Sequence, residues 1–228
     1  MTATNPRSIL SSAMSGQCAV KLAGVELRSA CDDCKGRPRS GQLRYRRRDP
    51  VYLEGTPADA VFAVVEGYLR ETRTTLEGRD QAVRLVCPGG LAGFESLRGG
   101  TFETSAQAIT DAVVCRIPRA EALRRLEQRE GQSQAVIANL VDEFCAVRET
   151  VLWVGTMSAE KRIVALLEQL AQRGGSPRFR LPMTRLELAD FLGLSHSTVS
   201  RTLHQLRREG RIRLEGRWIE LPGALTRT

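Results

Sequence analysis

The stretch from Thr184 to Gly210, TRLELADFLGLSHSTVSRTLHQLRREG, constrains the fold more than any other part of the chain. Thr184 stands three residues before Glu187, so hydroxyl and carboxylate can each satisfy an orphan backbone donor of the other, a capping box that starts a helix. Leu188, Ala189 and Leu192 then share one face, and Gly193 follows where the chain must turn without a Cβ. Ser195 is placed to cap a second helix, whose Val199, Leu203 and Leu206 at i, i+4 and i+7 pack back on the first. Two short helices joined in this way form a helix-turn-helix. His196, Ser197, Thr198, Ser200 and Arg201 are left at the outward start of the second helix. Short hydroxyl side chains and a guanidinium are the groups that contact base edges and phosphates in the major groove, and the fork of Arg201 suits O6 and N7 of a guanine. The bland alternative for Arg201 is a solvated arginine on a polar face.

The charge balance agrees with a polyanionic partner. With 34 Lys and Arg against 26 Asp and Glu, the formal net charge over 228 residues is +8, which suits DNA and, taken alone, an anionic membrane surface equally. No apolar run approaches the roughly 18 residues of a bilayer span, and the N-terminus lacks a signal-peptide core. The expectation is a cytoplasmic protein with no membrane partner. Both histidines, His196 and His204, lie in the second helix of the motif. A His-based catalytic triad elsewhere is thereby excluded, as is a metalloenzyme built on residues 44–118, so the chain is not expected to be an enzyme.

Upstream of the motif the pattern changes three times. Residues 1–40 form an N-terminal segment bearing Cys18, Cys31 and Cys34. The Cys31/Cys34 pair is open to reading as two metal ligands, a redox couple or ordinary helix-face cysteines. From 41 to 130, short β-rich runs end at glycine turns: Val51 to Leu53, Val61 to Val65, Tyr68 to Thr74, Gln81 to Val86, and Gln107 to Ile117 up to Pro118. That spacing predicts a β-roll, with a short helix near Arg119 to Arg129. Arg44 to Arg48, RYRRR, reads as a solvated strand edge. Cys87 and Cys145 read as core residues.

Residues 131–156 carry a heptad with Ile137, Phe144 and Val151 at a and Leu140, Val147 and Val154 at d, a seam for a second copy of the same helix. Residues 157–228 hold a helix at Ala159 to Gln172, the strand-like RFRLPM, the helix-turn-helix, and a hairpin of Arg211 to Leu214 with Trp218 to Leu221. The hairpin completes a winged helix, with Arg211, Arg213 and Arg217 in reach of phosphates. The fold class is α+β, and two paired readers would bind adjacent grooves of one duplex.

This order of parts resembles the CRP/FNR superfamily of bacterial transcription regulators, and within it the FNR-like branch. The resemblance rests on Gly93-Phe94-Glu95, Val114-Cys115-Arg116-Ile117-Pro118, Ala159-Glu160-Lys161-Arg162, Gln172-Arg173-Gly174 with Ser176-Pro177, Met183-Thr184-Arg185, Leu192-Gly193-Leu194 and Val199-Ser200-Arg201. It implies a roll of the cyclic-nucleotide-binding jelly-roll type and a homodimer that binds a palindromic double-stranded DNA site and acts on RNA polymerase. It also implies a [4Fe–4S] cluster on three N-terminal cysteines and a fourth in V-C-x-I-P, here Cys18, Cys31, Cys34 and Cys115. The alternative is a cluster-free regulator, constitutive or switched by thiol oxidation or a haem-type gas signal.

Three positions depart from the family pattern. Twelve residues separate Cys18 from Cys31, where the family groups its cysteines as C-x2-C-x5-C. Val147 stands where oxygen sensors of the branch carry an acidic seam residue, which predicts a dimer that persists without a cluster. Ser197 replaces a base-reading Glu, which predicts a different or less strictly read half-site. Thr104 precedes Ser105-Ala106 where cyclic-nucleotide sensors carry a phosphate-binding Arg, so cAMP is not expected as the effector.

Overall fold

The computed structural model describes residues 21–22, 25–26, 42–128, 134, 137–138, 140–141, 144–145, 147–148 and 155–222. Near the N-terminus β1 (Lys21–Leu22) pairs antiparallel with β2 (Val25–Glu26). Eight further strands build the roll: β3 (Gln42–Tyr45), β4 (Pro50–Tyr52), β5 (Ala60–Glu66), β6 (Leu69–Thr74), β7 (Asp80–Val86), β8 (Leu91–Ala92), β9 (Ser105–Ala108) and β10 (Ala112–Pro118). They form two antiparallel four-stranded sheets, β3-β10-β5-β8 and β4-β9-β6-β7. Tyr52, Phe62, Val64, Leu69, Val86, Phe102, Ala106 and Val114 share one core of the roll. Tyr52 is its centre, with ring centroids 4.1 Å from Phe102 and 5.3 Å from Phe62.

Two expectations for the roll need correcting. The run from Gln107 to Ile117 is two strands, because residues 109–111 carry the chain from one sheet to the other. Ile109 donates its N–H to the Tyr68 carbonyl, and the Thr110 hydroxyl accepts the Tyr68 N–H, each at 3.0 Å. These side-chain and turn bonds take the place of a ladder. The crossing also explains Gly67, at φ +80°, where a Cβ would stand 2.3 Å from the Asp111 carbonyl oxygen. The other correction is small: the strand expected from Val51 runs Pro50–Tyr52, leaving Leu53 exposed in the following turn.

On the outer face of β5 and β10, Val61, Ala63, Leu91 and Cys115 pack with Phe94, Leu97 and Ala122. These last three come from or adjoin α1 (Glu95–Arg98) and α2 (Arg119–Gln128). Beyond α2, the described residues 134, 137–138, 140–141, 144–145 and 147–148 are helical. Ile137, Phe144 and Val147 on that helix are 59%, 66% and 41% exposed, and Leu140 is half-buried. Val151 and Val154 lie outside the described residues.

The C-terminal part begins with α3 (Ala159–Gly174), capped by the Ser158 hydroxyl and buried along Ile163, Leu166, Leu167 and Leu170. Next come β11 (Arg178–Arg180), α4 (Arg185–Leu192), α5 (His196–Arg208), β12 (Arg213–Glu215) and β13 (Trp218–Glu220). The RFR segment joins the wing as an outer strand of a three-stranded sheet, β11-β13-β12, with Phe179 opposite Ile219. Roll and winged helix share one apolar core, for Leu85, Cys87 and Ile109 pack into the cluster that holds Ile163, Leu188, Leu203 and Ile219.

Candidate nucleic-acid interface

The reader is assembled by its caps. In α4 the Thr184 hydroxyl accepts the Glu187 N–H at 3.2 Å, while the Thr184 N–H donates to Glu187 Oε2 at 2.6 Å. Gly193 closes the helix at φ 63°, the left-handed region where a side chain would be strained. The Ser195 hydroxyl then accepts the Thr198 N–H at 3.1 Å and starts α5. Val199, Leu203 and Leu206 are buried against α4 and α3, as the spacing predicts, and Thr202 joins them. Burying each leucine contributes about 1.5–3 kcal/mol and leaves the opposite face of α5 no choice but solvent.

On that opposite face His196, Ser197 and Arg201 are exposed and Thr198 and Ser200 half-buried. The five are not equivalent. Ser197 and Thr198 hydroxyls lie 2.9 and 2.8 Å from Ser195 Oγ, so both join the cap network. Ser200 Oγ accepts from Arg185 Nη1 at 3.0 Å, which ties the two helices together across the motif. Arg201 Nε reaches only the Ser197 carbonyl, at 3.4 Å, and the guanidinium stands in solvent. With Arg207 and Arg208 in its last turn, α5 carries cations where the helix dipole favours them.

In the wing each of the three arginines has a partner within the chain. Arg217 is half-buried, and its Nη2 donates to the Leu181 carbonyl at 2.9 Å while Leu181 N–H donates back to the Arg217 carbonyl at 2.8 Å. It staples the wing to the loop before α4, so part of its donor set is already taken within the chain. Arg211 pairs with Glu160, and Arg213 with Glu220 at 3.1 Å. Both of these remain partly exposed.

Of the four cysteines expected to converge, Cys18, Cys31 and Cys34 lie outside the described residues. Cys115 is on β10, 3% exposed among Val61, Ala63 and Leu91. Its backbone pairs with Gln42, the first residue of β3. Among the described residues no group of three His, Cys, Asp or Glu side chains is arranged to hold a metal ion.

Two profiles match the chain: a cyclic nucleotide-binding domain over residues 42–129 and a Crp-like helix-turn-helix domain over residues 161–225. The transcriptional activator protein FnrL of Cereibacter sphaeroides is 32% identical over 182 residues, covering 76% of this chain and 73% of that protein. The chain belongs to the CRP/FNR family. The fumarate and nitrate reduction regulatory protein of Salmonella typhi is 29% identical, covering 75% of this chain and 70% of its own length. Among solved structures, FixK2 from Bradyrhizobium japonicum superposes with a TM-score of 0.72 at 29% identity, over 80% of this chain and 92% of that one. The protein is thus a DNA-binding transcription regulator, not an enzyme. No helix among the described residues is long and apolar enough to cross a membrane.

In this CRP/FNR regulator the structure adds residues that sequence reasoning missed. Arg47, expected at a solvated edge, places Nη2 2.8 Å from both carboxylate oxygens of Glu187, the capping-box residue of α4. Arg44, Arg46 and Arg48 keep the expected exposure. Burial alone would raise the Glu187 carboxyl, but hydrogen bonds from Thr184 and the Arg47 guanidinium outweigh it and hold the group below its ordinary range. Glu71 and Arg84 also went unremarked; Glu71 is buried within the roll and Arg84 half-buried against it. Their spacing, i and i+13 across a hairpin with a bulge, carries no local signal.

Proposed function

We propose that two copies of the chain pair along Ile137, Leu140, Phe144, Val147, Val151 and Val154 and read a palindromic duplex in the cytoplasm, acting on RNA polymerase. His196, Ser197, Thr198, Ser200 and Arg201 face the bases. The observation that carries this reading is the N-terminal half of α5. Its second turn projects a solvent-exposed Arg201 from a helix whose other face is locked into the core. The exposed Ile137, Phe144 and Val147 support pairing, since an apolar row at heptad spacing on one helix is stabilised by a second copy. Arg201→Ala should weaken binding to the preferred site by about 1–3 kcal/mol and binding to random duplex far less. Equal losses on both, in a gel-shift titration at fixed salt, would reduce Arg201 to a phosphate contact.

The signal we assign is oxygen or redox state, through a [4Fe–4S] cluster on Cys18, Cys31, Cys34 and Cys115. Thiolates are the donors such a cluster takes, and a bound cluster would supply an oxidation-sensitive link between these four positions. Cys115 suits the role by place: Gln42, beside it in the sheet, is eight residues from Cys34, and eight residues span at most about 29 Å. The name of the Salmonella typhi relative, a fumarate and nitrate reduction regulator, supports the redox part of this reading. A second reading, a dimer that forms without a cluster, is favoured by the apolar Val147 on the seam. Anaerobic purification with iron and sulfide analysis separates them: four irons per chain support the first, and an iron-free dimer that still selects DNA supports the second.

A further inference from the structure

The interior of the roll contains an ion pair for which DNA reading has no use. The register of β6 against β7 shifts between Glu71 and Thr72, so two consecutive side chains turn inward where a regular strand would alternate. Glu71 is 6% exposed. Its Oε2 accepts from Arg84 Nε at 2.6 Å, and its Oε1 accepts from Arg84 Nη2 at 2.9 Å and from the Tyr52 hydroxyl at 2.6 Å. Arg84 Nη2 also donates to the Leu91 carbonyl at 2.7 Å, and the guanidinium lies 5.2 Å from the centroid of the Phe94 ring. Thr104, beside this group, donates its hydroxyl to Glu95 Oε1 at 3.1 Å.

A planar guanidinium held by a carbonyl and an aromatic face in a largely enclosed site has the geometry that fits a carboxylate or phosphate two oxygens at a time. Here a carboxylate already fills it. Burial and the neighbouring Glu71 push the Tyr52 phenol far above its usual range, so it stays a donor to that carboxylate. We propose that Arg84 is an anion seat occupied by the chain's own Glu71, which closes the roll to cyclic nucleotides and admits a small oxyanion only when Glu71 is removed.

The electrostatics favour this occupant over a diffusible one. A cyclic phosphate reaching Arg84 would have to displace Glu71 and leave a buried carboxylate without its cation, close to the second carboxylate of Glu95. The position that supplies a phosphate-binding arginine in cyclic-nucleotide sensors is Thr104 here, and its hydroxyl is bonded to Glu95. The roll therefore keeps the architecture matched by the cyclic nucleotide-binding profile while one of its own strands provides the anion.

The test uses the full chain and does not depend on DNA binding. Thermal unfolding is followed at constant ionic strength as inorganic phosphate replaces chloride. The wild-type melting temperature should not respond. Glu71→Ala should melt lower and then rise by about 3–6 °C at phosphate tenfold above its dissociation constant, with saturation. Glu71→Ala combined with Arg84→Leu should melt without a phosphate response. Should Glu71→Ala not fold, Glu71→Ser, which also empties the seat and keeps a short polar group at the position, takes its place in the same titration. Equilibrium dialysis of the wild-type chain against labelled cyclic AMP decides the other half: no retention supports the seat as filled. One nucleotide per chain, or a folded Glu71 variant indifferent to phosphate, overturns the proposal.

Discussion

The contact between Arg47 and Glu187 joins residues 140 positions apart and couples the turn after β3 of the roll to the first turn of the reader. Both carboxylate oxygens lie 2.8 Å from Arg47 Nη2, with the two side chains 28% and 19% exposed. A sheltered charge-assisted hydrogen bond contributes about 1.5–3 kcal/mol and a surface pair less than about 1. At this partial exposure the clasp should contribute about 1 kcal/mol. Glu187 also closes the capping box on α4, a contribution of about 1 kcal/mol that Arg47 does not share. Glu187→Gln separates the two, because the carboxamide keeps an oxygen for the Thr184 N–H and loses only the charge. Arg47→Ala and Glu187→Gln should then each cost about 1 kcal/mol and Glu187→Ala about 2. In the Arg47→Ala background, Glu187→Gln should cost nothing beyond the additivity error of about 0.3–0.5 kcal/mol. Urea unfolding by far-ultraviolet circular dichroism, at one protein concentration because pairing shifts apparent stability, measures all four. An equal loss from Glu187→Gln in both backgrounds would refute the clasp.

The same carboxylate gives a pH dependence. Its folded pKa lies below the ordinary value of 4.5, so its contribution is complete above that pH and is lost as pH falls through the folded value. Glu187→Gln should flatten that part of the acid-unfolding profile, which an acid titration followed by circular dichroism checks. Leu203, 1% exposed between the helices of the reader, should cost about 2–5 kcal/mol when truncated to alanine, measured by thermal unfolding. Phe144→Asp should raise the dimer dissociation constant about 100-fold or more, since each of two copies loses a buried ring; sedimentation velocity reads the change.

The helix-turn-helix was legible in the chain residue by residue, because its signals act over three or four positions. A hydroxyl three residues before a glutamate, a glycine at a left-handed turn and leucines at helical spacing need no distant partner, and the structure has each where the spacing predicts. The heptad residues Ile137, Phe144 and Val147 are likewise helical and exposed. The strands of the roll were legible as strands, since alternation and glycine turns are local, but their register was not. A bulge at Glu71 and a sheet crossing at residues 109–111 depend on which neighbour each strand finds.

Charged side chains divide in the same way. Composition assigned the arginines to solvent or phosphate, and for Arg201 the exposure agrees. Arg47, Arg84 and Arg217 instead have their forks on Glu187, Glu71 and the Leu181 carbonyl. An arginine carries one charge whether it faces water or a carboxylate, and its flanking residues do not reveal which. The periodicity of the backbone is written in neighbouring residues, whereas the partner of a long cationic side chain is set by how separate segments come to lie against each other.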